Sequence, residues 1–310
     1  MASTPLADIA DTTEIDRVLL VRDVDRRSKR DGSPFLRLTL SDRSGSVPAV
    51  MWEDATVGAG EPAHVVGRLA EHPRYGRQLT VGELRAPSGA VDWTALLDGP
   101  ERPTAELEHE LDLLIASVSD AHLHDLLHRL LGRESETGRR FREIPAAKYH
   151  HHAYPHGLLD HSVAVAQLVS TAAMTLLGVD RDIAVAGALL HDIGKLDAYE
   201  VSGGCADLGD AGKLAGEIPL GYYRVRSAIE ETSGFPAERA LTILHVLLAH
   251  HGRLEFGSPV TPCTREATLV HAMDNLSGQM GAYDRLSKET TTGESWSRFD
   301  RVLEGSAFSG

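Results

Sequence analysis

The sequence predicts an α+β multidomain protein, a small N-terminal β-barrel followed by an all-α helical bundle. Three observations carry this. Short runs alternate apolar and polar residues at period two as far as residue 85. Beyond Gly99-Pro100 and Pro103 the apolar spacing changes to the three-and-four rhythm of helices. The charge divides at the same place. Residues 1–90 hold 12 Lys and Arg against 13 Asp and Glu, so residues 91–310 carry −13 of the net −14.

The first strand lies within residues 17–22, where Val18, Leu19, Leu20 and Val21 cluster. Residues 35–40 alternate strictly, and 47–52, 64–69 and 78–81 follow. Turn signals separate them: Asp31-Gly32-Ser33-Pro34, Ser44-Gly45, Gly58-Ala59-Gly60 and Tyr75-Gly76. Five strands in about seventy residues suit a barrel of the OB type, with a meander or an SH3-like barrel as the alternative.

Helices follow. Leu107, Leu111, Leu114 and Ile115 share one face, and Leu123, Leu126, Leu127, Leu130 and Leu131 share another. Further helices are expected over 158–177, 182–191, 222–232, 236–250 and 265–286. Asp180 is placed to cap the second of these, and Pro236 suits a first turn. Residues 200–216, rich in Gly and Asp, predict a loop. The expected domains are a barrel over 1–90, a helical linker over 91–145 and a helical domain over 146–290. A polar tail over 291–310 has Trp296, Phe299 and Val302 as anchors.

Composition narrows the function. The 310 residues are 42% hydrophobic and 25% charged, ordinary for a globular protein. No apolar run approaches the ~18 residues that span a bilayer, so no membrane is expected. The N-terminus lacks the basic and apolar regions of a signal peptide. Two distant cysteines, Cys205 and Cys263, fit a cytoplasmic protein without disulfides. The net charge argues against a protein that coats duplex DNA electrostatically. An acidic domain rich in His suits divalent cations, and a near-neutral one with local basic clusters suits a polyanion.

One constellation carries chemistry. His191-Asp192 closes an apolar run and offers one metal an imidazole and a carboxylate from adjacent positions. His161 lies upstream in a helical pattern, His250-His251 ends another apolar run, and Asp274 sits in a fourth. Taken singly, each residue reads as a core histidine, a cap or an ion-pair partner. His122, His124 and His128 read as a solvated helix face. Taken together, the order and the helical settings describe converging ligands of a hydrolytic metal site. Lys195, close behind the pair, is placed to neutralise phosphate charge or else to sit at a helix C-terminus.

These residues resemble the HD-domain phosphohydrolases, whose series is matched by His161, His191-Asp192 and Asp274. The chain is more similar still to the YhaM-type 3′→5′ exoribonucleases, which join an N-terminal OB-fold to a C-terminal HD domain. The segments are 145–154, Gly157-Leu158-Leu159-Asp160-His161, His191-Asp192-Ile193-Gly194-Lys195 and His250-His251-Gly252-Arg253-Leu254-Glu255-Phe256-Gly257-Ser258-Pro259. The barrel segment 32–42 also fits, and the resemblance covers roughly 15–285. It departs at Glu217, where the family usually has a histidine serving a second metal, and at His156, more often glycine.

The resemblance implies a metal-dependent 3′→5′ exoribonuclease that hydrolyses single-stranded RNA, and also DNA, to nucleoside 5′-monophosphates with metal-activated water. It implies His161, His191, Asp192, Glu217, His250 and Asp274 as metal ligands, the choice between His250 and His251 being open. Asp192, Lys195 and His251 are the catalytic candidates. Mn²⁺ is the expected ion, with Mg²⁺, Fe²⁺ or Co²⁺ as alternatives, in one or two copies. Arg27, Lys29, Arg30, Trp52, Arg74, Tyr75, Arg77 and Lys148 are the candidates for holding the strand. His151 and His152 join Lys148 as candidates to line the mouth of the site, and Phe35 is expected to be buried. Two alternatives compete: hydrolysis of a nucleotide or cyclic nucleotide, and a nucleic-acid-binding protein whose site has decayed at Glu217.

Overall fold

A computed structural model describes residues 4–10, 12–72, 76–97, 99–148, 152–202, 205–289 and 295–308. Five strands form a closed barrel: β1 (Glu14–Ser28), β2 (Pro34–Asp42), β3 (Gly45–Met51), β4 (Pro62–His72) and β5 (Gly76–Arg85). β1 is long enough to serve two neighbours. Its first half pairs antiparallel with β4 and its second half with β2, with a bulge between Val21 and Asp23. A short parallel pairing of β3 with β5 closes the ring in the order β1-β2-β3-β5-β4. This is the OB-type topology.

Period two decides the barrel interior. Leu36, Leu38 and Leu40 point inward with Leu19, Val21, Val47, Ala49, Val65, Leu69, Leu79 and Val81. The same alternation overturns the expectation for Phe35. It lies one step out of phase with Leu36, is half-buried, and stacks on Trp52 with ring centroids 5.3 Å apart. A 3₁₀ turn, Leu6–Asp8, drives Leu6 into the barrel core. Asp42, buried, fixes it by accepting from the Leu6 amide (2.8 Å) and pairing with Arg17 (3.0 Å).

The helices are α1 (Trp93–Leu96), α2 (Thr104–Ala116), α3 (Ala121–Leu131), α4 (Glu136–Glu143), α5 (Gly157–Ala173), α6 (Arg181–Leu190), α7 (Lys195–Ala198), α8 (Asp210–Ala215), α9 (Glu217–Glu230), α10 (Ala237–Ala249) and α11 (Arg265–Glu289). Asp180 caps α6, its side chain accepting from the amides of Asp182 and Ile183. Pro236 is the capping residue before α10. One apolar core holds the bundle. Leu107, Leu111, Leu123, Leu127 and Phe141 from α2–α4 share it with Leu159, Leu189, Val225, Leu247 and Val270. None of the helices is long and apolar enough to cross a membrane among the described residues.

Residues 200–216 are not the expected loop. Two short strands, β6 (Tyr199–Ser202) and β7 (Cys205–Leu208), form a hairpin that precedes α8. Four-residue strands are too short to show alternation, and one of their residues packs on the distant barrel. Cys205 packs with Leu20 and Leu96, and its sulfur lies 3.4 Å from the Arg22 guanidinium. Arg22 also donates to the Ala153 carbonyl (3.1 Å). Lys148 bridges the two parts, 3.5 Å from Asp23 and 3.0 Å from Asp207.

The tail is also held differently from expectation. Trp296, Phe299 and Val302 are exposed, and among the described residues an ion pair from Arg285 to Asp300 (2.6 Å) ties the tail to α11.

Because α2 contributes to the bundle core, Leu111→Ala should cost about 2–5 kcal/mol. The expected readout is a lower urea midpoint for the helical signal. An unchanged midpoint would contradict the packing of α2.

Candidate metal centre

The sequence places most candidates at or near a helix end, and Asp274 in the body of one. His161 lies one turn into α5, His191 is the C-cap of α6 and Asp192 follows it. Lys195 opens α7, Glu217 opens α9, His250 is the C-cap of α10, and Asp274 lies within α11. The two cap histidines use one device. His191 Nδ1–H donates to the Ala188 carbonyl and His250 Nδ1–H to the Leu247 carbonyl, each at 2.7 Å. Each bond satisfies a carbonyl left over at the helix end and turns Nε2 inward.

His161, His191 and Asp274 form a group of candidate ligand atoms all within 4.8 Å of one another. The His161 and His191 Nε2 atoms are 3.1 Å apart, and Asp274 Oδ1 is 3.2 Å and 3.8 Å from them. Asp192 Oδ2 lies 3.5 Å from His161 Nε2 and 3.4 Å from His191 Nε2. An ion bound at about 2.0–2.2 Å sets ligand-to-ligand edges of about 3.0–3.6 Å. The spacing therefore fits a divalent metal.

Asp192 faces two ways. Its Oδ2 accepts from Lys195 Nζ at 2.6 Å, and its Oδ1 lies 3.7 Å from His250 Nε2. That nitrogen is buried without a hydrogen-bond partner among the described residues. His251 is partly exposed and sits to one side. Its Nδ1–H donates to the Phe256 carbonyl (2.9 Å), and Nε2 lies 3.8 Å from Glu217 Oε1. So His250 faces Asp192, while His251 and Glu217 face each other.

Burial and charge compete throughout. Burial disfavours charge on Asp192, but Lys195 and His191 outweigh it and hold the carboxyl well below the usual range. For Asp274 burial is again overcome, by the hydrogen bond from His161 and by His191. Burial opposes a charged His191, yet Asp192 and Asp274 raise it to about 9. Burial, with His191 and His251 nearby, lowers His250 to about 3 and keeps its lone pair available. Lys195 is raised despite burial, because Asp192 stabilises its charge. The result is a buried, carboxylate-rich cluster that attracts a divalent cation.

Backbone geometry accounts for Gly194 and His156. Gly194 has ordinary helical φ/ψ rather than a turn conformation. Glycine is needed there because a Cβ would stand 1.9 Å from the Glu217 carbonyl oxygen, where α9 begins. His156 has left-handed φ of 69°, which favours glycine, and its Nδ1 donates to the Arg142 carbonyl (2.7 Å). Lys195 opens the four-residue α7, whose single turn is also its last.

Sequence reasoning missed a network beneath the cluster. The Tyr154 hydroxyl donates to Asp160 Oδ2 (2.8 Å), His152 Nδ1 lies 2.9 Å from that hydroxyl, and Arg102 lies 3.6 Å from Asp160. The His152 ring is 5.4 Å from that of His161. The available signal was Asp160 directly preceding His161.

The strand-holding candidates scatter. Trp52 is 53% exposed, with Lys29 Nζ 5.8 Å from its ring centroid. Arg30 is exposed beside Lys29. Arg27 pairs with Asp25 (2.7 Å). Arg77 instead donates to the carbonyls of Leu6 and Ile9, which ties down the N-terminal segment. Lys148 is engaged by Asp23 and Asp207. Arg74, Tyr75 and His151 lie outside the described residues.

Comparison with known proteins agrees with this geometry. Residues 158–279 match the model of the HD domain. The chain is 30% identical over 288 residues to a protein named 3′-5′ exoribonuclease YhaM from Listeria monocytogenes serotype 4b, covering 90% of each. Proteins of the same name from Halalkalibacterium halodurans and Bacillus licheniformis are each 30% identical over 290 residues. They cover 90% and 91% of this chain, and 88% and 90% of their own lengths. With an OB-type barrel, an HD domain and this likeness along nine-tenths of its length, the chain belongs to the YhaM-type 3′→5′ exoribonuclease family.

Proposed function

We propose that this protein is a metal-dependent exoribonuclease that removes nucleotides from the 3′ end of single-stranded RNA, and of single-stranded DNA by the same backbone chemistry. The observation that carries the reading is the set of buried His161, His191 and Asp192 with partly buried Asp274, at the edge lengths of a coordination sphere. The relatives named as 3′-5′ exoribonucleases support the reaction class and the direction. Residues 1–90 would hold the strand and 146–290 would hydrolyse it. Cys205 and Cys263 are free thiols, which supports the reducing cytoplasm as its compartment.

In this reading His161, His191, Asp192 and Asp274 hold one divalent ion. Asp192 Oδ1, Glu217 and His250 would offer a neighbouring position for a second. Carboxylate oxygens alongside imidazoles suit Mn²⁺. A bound cation lowers the pKa of water and offsets charge on the phosphate. The chain's own residues do the rest. Lys195, held against Asp192, neutralises charge that builds on the scissile phosphate. His251, its Nδ1–H fixed by Phe256, presents Nε2 as the group that passes a proton to the departing 3′ oxygen. Water oxygen joins phosphorus, the phosphorus–O3′ bond breaks, and O3′ leaves protonated. A nucleoside 5′-monophosphate and an RNA one nucleotide shorter result. The Phe35–Trp52 stack with Lys29 and Arg30 sits on the strand 2–3 side of the barrel, where OB folds receive single strands.

With Mn²⁺ and RNA labelled at its 5′ end, the expected outcome is a ladder shortening from the 3′ end, abolished by Asp192→Ala. Cleavage by Asp192→Ala, or none by the native protein with any divalent ion, would sink the reading. Lys195→Met should keep its metal and lose about 10²–10³-fold in kcat. Loss of metal instead would make Lys195 a support for Asp192 alone.

A further inference from the structure

The turn after α10 holds an aromatic ring in solvent, on backbone that is hydrogen-bonded to His251. Phe256 is 56% exposed and Leu254 is 62% exposed. The backbone around them is tightly built. The Arg253 carbonyl accepts from the amides of Phe256 (3.1 Å) and Ser258 (3.3 Å), and the Leu254 carbonyl accepts from Gly257 (3.0 Å). Gly252 and Gly257 take left-handed φ of 77° and 92°. A Cβ on Gly252 would stand 2.2 Å from the His271 ring. The turn therefore holds one shape, and that shape presents Phe256 outward.

Its position ties it to the centre. The Phe256 carbonyl accepts from His251 Nδ1, and the His251 ring lies 4.4 Å from that of His250, which faces Asp192. The Arg253 guanidinium lies 5.5 Å from the Phe256 ring centroid. A flat ring, a cation beside it and a fixed link to the rim of the site make a platform for a planar, anionic ligand.

We propose that Phe256, backed by Arg253, stacks on the 3′-terminal base of the strand and so sets where the last phosphate lies. This rests on the 3′→5′ reading above. Stacking on a π-face tolerates every base, so the platform suits digestion without sequence preference. Because the Phe256 carbonyl also holds His251, base stacking and imidazole orientation share one rigid turn.

The test reads binding and turnover separately, on the metal-loaded full chain. Fluorescein-labelled oligoadenylates with phosphorothioate linkages at the 3′ end are used, carrying either an intact or an abasic 3′-terminal nucleotide. Native protein should bind the intact end at least about fivefold more tightly. Phe256→Ala should lose that preference while keeping its metal content and melting temperature. Phe256→Trp should retain the preference, which also guards against a folding defect in the alanine variant. Equal binding of both ends by native protein, or a preference that survives in Phe256→Ala, overturns the proposal. A Phe256-dependent preference in a protein that fails to shorten unmodified RNA would leave the platform standing and remove the exonuclease reading.

Discussion

Two carboxylates, the buried Asp192 and the partly buried Asp274, impose the constraint on which the rest depends. Each alone would be costly to bury, and together they repel. The surrounding structure supplies compensation from separate elements: His161 from α5, His191 from the end of α6 and Lys195 from the start of α7. Such convergence requires these helices to meet with little freedom. The shared apolar core of α2–α6 and α9–α11 provides that rigidity.

Precision comes from backbone economy. The cap bonds of His191 and His250 finish a helix and aim a ring with the same proton. Gly194 lets the start of α9 approach the turn after Asp192, which brings Glu217 toward His251. The join to the barrel combines polar ties, from Arg22 to the Ala153 carbonyl and Cys205 Sγ and from Lys148 to Asp23 and Asp207, with an apolar contact. Ties of this partly exposed kind each contribute about 1 kcal/mol or less, so the apolar contact of Leu20, Leu96 and Cys205 carries much of the join.

Much of this was legible in the sequence, for reasons that can be named. Barrel strands announce themselves by period two, and helices ending in His191 or His250 by apolar runs that stop at a polar pair. Other features depended on contacts remote in sequence. The β6–β7 hairpin packs on Leu20, far away along the chain. α4 is largely polar, with Phe141 as its apolar anchor, so no periodicity marks it. Arg77 looks like a strand-binding arginine until its carbonyl partners appear, and Lys148 until Asp23 and Asp207 do. Phe35 was a misreading of phase, since Leu36, Leu38 and Leu40 already specify which side faces inward.

The central claim is that His161, His191, Asp192 and Asp274 form one cation site. Titration of free Mn²⁺ by electron paramagnetic resonance tests it most directly. The account predicts that native protein removes at least one Mn²⁺ per chain from the free signal and that Asp274→Ala removes markedly less. Identical titrations for the two proteins, or no uptake by the native chain, would contradict it.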